Sequence, residues 1–106
     1  MNQPKSCIGI KKSVLENICA LIRAHKPVEK IVLFGSRARR DCRAVSDIDI
    51  AIFARDWDGR DINLVKDALE ETIKTPLKFD LVNYYLVAKP SLRQKILKEG
   101  KVLYGA

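Results

Sequence analysis

From Asp47 to Ala54 the chain reads Asp-Ile-Asp-Ile-Ala-Ile-Phe-Ala. Ile48, Ile50 and Ile52 alternate with Asp47, Asp49 and Ala51, the two-residue period of a strand with one apolar face. Such a strand cannot stand alone: its isoleucine face must be covered and its edges paired. This rules out an all-helical fold and predicts at least one more strand. Ile31-Val32-Leu33-Phe34, bounded by Glu29-Lys30 and by Gly35, reads as a buried strand. Residues 78–84 read as a third, with Phe79 and Leu81 on one face and Asp80 and Val82 on the other. Val102-Leu103-Tyr104 is suited to a last edge strand.

Helical periods fill the gaps. Over residues 10–25, Ile10, Val14, Leu15, Ile18, Leu21 and Ile22 recur at three- and four-residue steps. Lys11, Lys12, Glu16 and Arg23 face outward, Pro27 ends the helix, and His25 is placed to meet its C-terminal dipole. Over residues 62–74, Ile62, Val65, Leu69 and Ile73 point inward, with Asp61 as the expected N-cap and Pro76 as the stop. Ser91 and Gln94, after Pro90, have capping-box spacing for a short helix to Glu99, closed by Gly100. The order of elements implies an α/β (α+β) fold, a small mixed sheet covered by helices.

At 106 residues the chain has the length of a single domain, expected to span 1–106. No run approaches the roughly 18 apolar residues of a membrane span, and the first residues carry no apolar stretch of signal-peptide length. Three cysteines, without a CxxC and with one histidine, give neither a disulfide framework nor a zinc site and point to a reducing cytoplasm. Cys19 reads as packing, and Cys42 falls in a loop. The net charge is +7, and all of it lies before Asp47, where ten basic residues face three acidic ones. That excess suggests a polyanionic partner.

Asp47 and Asp49, two residues apart on a strand, point to one face, where their charges repel. A divalent cation between them offsets that repulsion, and magnesium takes such carboxylates together with substrate phosphates. Upstream, Gly35 lets the backbone approach a bound group, and Ser36 adds a hydroxyl for a phosphate oxygen. Arg37, Arg39, Arg40 and Arg43 follow within the next residues, and guanidinium groups suit phosphate recognition. Together these read as a phosphate-and-metal site.

Gly35-Ser36, ten residues, then Asp47-Ile48-Asp49 resembles the signature of polymerase-beta-like nucleotidyltransferases. The local form, Gly35-Ser36-Arg37-Ala38-Arg39 with Ser46-Asp47-Ile48-Asp49-Ile50, is closest to the minimal nucleotidyltransferase (MNT) subfamily, single-domain proteins often encoded beside a HEPN-domain protein. The resemblance covers nearly the whole chain, and it departs at Arg40, where the subfamily usually has glycine.

The resemblance implies a magnesium-dependent nucleotidyltransferase that moves AMP from ATP to a hydroxyl. It makes Asp47, Asp49 and Asp80 the metal-binding and catalytic residues, holding two Mg2+ ions. Asp80 would also take the acceptor's proton. Gly35 and Ser36 would hold the outer phosphates, with Arg37 and Arg39 beside them. The implied acceptor is a HEPN RNase toxin, with this chain as its antitoxin. Two rivals follow from the same residues: a nucleotide-binding module that neutralises its partner by contact, and transfer to a small molecule. Direct nucleic-acid binding is disfavoured, because the basic residues are not interleaved with aromatics in the sequence. Trp57 reads as packing at a loop root, and one of Tyr84 and Tyr85 must face away from the core.

Overall fold

The computed structural model describes residues 11–35, 47–73 and 78–105. Helix α1 (Lys12–His25) leads into strand β1 (Lys30–Phe34), which turns back into β2 (Ile48–Phe53). Helix α2 (Gly59–Thr72) carries the chain to β3 (Phe79–Asn83), a 3-10 turn follows at Tyr84–Leu86, and α3 (Pro90–Glu99) leads to β4 (Lys101–Tyr104). The sheet order is β3-β2-β1-β4. β1 runs antiparallel to β2 and to β4, whereas β2 and β3 are parallel. The sheet is therefore mixed, as expected, with α2 serving as the crossover that a parallel pair requires.

The alternation sorts side chains onto two faces. Ile31, Leu33, Ile48, Ile50, Ile52, Phe79 and Leu81 meet Ile18 and Ile22 of α1 and Val65 and Leu69 of α2 in the larger core. Cys19 packs on its margin. The opposite face is smaller: Val32, Phe34, Ala51 and Phe53 are covered by Ile96 of α3, with Val82, Tyr84 and Leu92 around them. Among the described residues no helix is long and apolar enough to cross a membrane.

Two helix starts differ from expectation. α2 is capped by Asp58, whose side chain accepts from the Arg60 and Asp61 backbone N–H groups at 3.0 Å each. Asp61 is the other half of the capping box and accepts the Asp58 N–H at 2.9 Å, so the helix begins three residues earlier than Ile62. α3 begins at Pro90, whose fixed φ and missing N–H suit the first helical position. Ser91 thus lies inside the first turn, and Lys89, at the N-cap, makes no side-chain capping bond. Lys74, Pro76 and Cys42 fall outside the described residues.

Polar contacts tie the helices to the sheet. His25, the last residue of α1, has its Nε2 at 2.9 Å from Asp61 Oδ1, and Lys26 Nζ is 3.0 Å from Asp61 Oδ2. Trp57 is buried, donates its indole N–H to the Pro27 carbonyl at 3.2 Å and meets the His25 ring edge-on. Asn83, also buried, donates to the carbonyls of Ala54 and Trp57 and accepts from the N–H groups of Ala54 and Tyr85. Rings and cations separated in sequence meet at this end. Phe53 stacks on Tyr84, Arg93 lies over Tyr84, and Arg55 lies over the exposed Tyr85.

The hydrogen bond from His25, the Asp58 N–H and the Lys26 ammonium hold the Asp61 carboxyl well below its ordinary range. A depressed carboxylate stabilises the fold above its unfolded pKa, and that contribution fades as pH falls through about 4 and below. Asp61→Asn is expected to lower Tm at pH 7. The gap to wild type should close on acidification in melts followed by circular dichroism.

Candidate active site

The register of β2 brings the predicted aspartates to one end of the sheet. Asp49 lies opposite Phe34 of β1 on one side and opposite Asp80 of β3 on the other. Neighbouring strands are about 4.8 Å apart, so Asp49 and Asp80 stand side by side on the same face. Asp47 precedes β2 by one residue, and the Ile48 N–H donates to the Lys78 carbonyl at 2.9 Å, pinning the two strand starts together. Asp47 and Asp80 are exposed, whereas Asp49 is partly buried.

The Asp49 carboxyl is pushed up to about 6. Burial is the largest cause, the charges of Asp80 and then Asp47 add to it, and the Lys95 ammonium on α3 acts against them. Three carboxylates thus feel one another at this sheet end. The sequence pattern left Lys95 without a role, because only the packing of α3 brings it here.

Gly35 follows β1 with φ +81° and is buried. A Cβ there would overlap Asp49 Oδ2, so glycine is needed both for the left-handed backbone and for the room the carboxylate occupies. Ser36, Arg37, Arg39, Arg40 and Arg43 lie outside the described residues.

Among the described residues no three His, Cys, Asp or Glu side chains form, as they stand, a cluster able to hold a metal ion. The chemistry of the donors nonetheless fits magnesium. All are hard carboxylate oxygens, and the repulsion that raises Asp49 is what a divalent cation relieves.

The family model described as polymerase beta, nucleotidyltransferase matches residues 16–106. The chain belongs to this family. A comparison with curated proteins found no match. Among solved structures, a toxin–antitoxin structure with AMP-PNP superposes with a TM-score of 0.76 at 29% identity, covering 92% of this chain and 75% of the other. A Shewanella oneidensis complex of a tri-AMPylated HEPN toxin with MNT antitoxin gives 0.73 at 28% identity, covering 92% and 74%. A mutant of the MntA–HpeT toxin–antitoxin gives 0.74 at 29%, covering 87% and 73%. The nucleotidyltransferase is therefore similar in fold to MNT–HEPN antitoxin complexes.

Two predictions follow from the geometry. A carboxyl raised from 3.8 to about 6 is protonated in both states below pH 4, and above pH 6 the folded state bears a disfavoured charge. At this half-exposed position that penalty amounts to about 1–2 kcal/mol once solvent screening is allowed for. Asp49→Asn should therefore raise metal-free stability at pH 7, and the gain should vanish below pH 4 in urea titrations. Gly35→Ala should cost at least about 1 kcal/mol in the same titrations, because alanine must take a left-handed backbone against the Asp49 carboxylate.

Proposed function

We propose that this nucleotidyltransferase moves AMP from ATP to a hydroxyl of a partner protein, acting as an antitoxin that adenylylates a HEPN RNase. The pairing of Asp49 with Asp80 in adjacent strands, beside Gly35, carries this reading. The neighbouring structures support the nucleotide and the acceptor, since one contains AMP-PNP and another a tri-AMPylated HEPN toxin.

Asp47 and Asp49, with Asp80, would hold two magnesium ions. When bound, magnesium supplies neutralisation of phosphate charge and a Lewis acid toward the attacking and leaving oxygens. The chain's own residues do the rest. Asp80, exposed at the edge of the described sheet, takes the proton of the acceptor hydroxyl. The acceptor oxygen bonds to the α-phosphorus, the α–β phosphoanhydride breaks, and pyrophosphate leaves. Gly35 leaves the space in which Asp49 sits, and Ser36, Arg37 and Arg39 bind the phosphates.

One observation favours a second reading, in which the protein neutralises its partner by contact alone. The three aspartates do not stand as a metal-ready cluster. A module acting by contact binds ATP without transferring it, so passage of label to the partner separates the two.

The reaction is tested with α-labelled ATP, magnesium and a HEPN-domain protein, the proposed acceptor. Label should pass to the HEPN protein, and Asp47→Ala or Asp49→Ala should reduce it about 100-fold or more. Undiminished labelling by both variants would overturn the assignment.

A further inference from the structure

The sheet end opposite the aspartates carries rings and cations interleaved. Phe53, the last residue of β2, is the register partner of Lys30, whose ammonium lies 4.8 Å from the Phe53 ring centre. The Phe53 ring stacks on Tyr84, 4.5 Å between centres and 21° from parallel, and the Arg93 guanidinium lies 5.1 Å over Tyr84. Tyr85 meets both rings edge-on, at 5.8 and 6.1 Å, and carries the Arg55 guanidinium at 4.6 Å. Three rings and three cations thus come onto one surface from β1, the end of β2, the 3-10 turn and α3. In sequence the basic residues do not alternate with aromatics, which speaks against nucleic acid; in the fold they do.

The arrangement is open to solvent. Tyr85 is 37% exposed, Leu86 beside it 58%, and the Arg55 side chain 73%. Tyr85 lies against the Arg55 guanidinium, and Glu29, which also accepts from the Tyr85 hydroxyl, takes the Arg55 Nε–H at 3.1 Å. An exposed ion pair of this kind is weak, so a phosphate can take the place of Glu29. A guanidinium plane held on a ring is a platform: weakly hydrated, it stacks on a base while its N–H groups reach phosphate. One turn before Arg93, whose N–H donates to the Lys89 carbonyl at 3.2 Å, Lys89 and Ser91 line an open cavity of about 290 Å3 with Leu92 and Lys95. Two ammoniums and a hydroxyl there extend the cationic surface along α3.

Unpaired bases have free faces, whereas a duplex hides them. An acidic protein surface offers carboxylates to the cations but no flat group to the rings or to the guanidinium. We propose that the face bearing Arg55, Tyr84, Tyr85 and Arg93 binds single-stranded nucleic acid, with bases stacked on the Arg55 and Tyr85 planes and phosphates held by Arg93 and Lys89. This binding is separate from nucleotidyl transfer, since the face lies at the other end of β2 from Asp47, Asp49 and Asp80.

The test is fluorescence anisotropy of the full chain with labelled oligouridylate and oligothymidylate of about twelve nucleotides. Wild type should bind, and more weakly as salt is raised. Tyr85→Ala alters no cation, so it separates stacking from attraction to a basic chain. It should weaken binding about fivefold or more, while Tyr85→Phe, which keeps the ring, stays near wild type. Arg55→Lys keeps the charge, loses the plane and should weaken binding about threefold or more. Both variants should fold as wild type does by circular dichroism, since the two side chains are exposed. A preference between the two strands tells RNA from DNA, and either one supports the site. Undiminished binding by Tyr85→Ala or by Arg55→Lys would overturn it. So would a wild type that ignores both strands, or one that binds polyglutamate as tightly, which would make this face a dock for an acidic protein.

Discussion

The placement of β2 is the constraint on which the rest of the molecule depends. It is paired on both sides, antiparallel to β1 and parallel to β3. A slip of one residue would turn Ile48, Ile50 and Ile52 out of the larger core and drive Asp49 into it. The parallel side needs a crossover, and the crossover is fastened at its root. Asn83, at the end of β3, holds both carbonyls that leave β2, those of Ala54 and Trp57. Asp61 closes the capping box that Asp58 opens and ties α2 to the end of α1 through His25 and Lys26. These contacts lie at the opposite sheet end from the aspartates, so the acidic end is positioned by a frame in which it takes no part.

That separation matters because the acidic end is a cost. Asp49 is partly buried beside two like charges, and Gly35 is held in a conformation that other residues resist. Neither feature helps the chain fold. The isoleucine face supplies the offset: most of its side chains are wholly buried between the sheet and two helices, where each contributes about 1.5–3 kcal/mol of apolar burial. The cost is borne because Ile48, Phe79 and Phe34, the immediate neighbours of the aspartates, are themselves buried in the core.

The sequence made much of this legible, and the reasons are local. The strands announced themselves through apolar runs and strict alternation, and α1 and α2 through their three- and four-residue steps. Asp80 is the third carboxylate that the resemblance implies, and alternation agrees by placing it opposite Phe79 and Leu81, on the side where Asp49 lies. The helix starts were harder. Asp58 and Asp61 are both competent caps, and what separates them is the reciprocal pair of bonds across three residues. Ser91 lost to Pro90 because a ring that fixes φ outweighed a hydroxyl that accepts a bond. Lys95 was invisible for a different reason. Its position depends on Ile96 packing across β1, a tertiary contact between residues sixty apart. The rings of Tyr84 and Tyr85 were likewise far in sequence from Arg55 and Arg93, which cover them.

The two faces of the sheet divide the labour. The larger face is closed by α1 and α2 along the length of β2. The smaller is covered by the ten-residue α3 through a single buried side chain, Ile96, with Leu92 beside it. A helix that short cannot cover the whole face, and Asp47 and Asp80 are exposed while Asp49 is partly buried. Had α3 been extended over the aspartates, burial would have raised all three carboxyls and put them out of reach of a phosphate or an acceptor. As the chain stands, Asp80 lies in solvent and Asp49 is partly covered. The fold that buries Ile96 is thus the same fold that limits how far the acidic residues are desolvated.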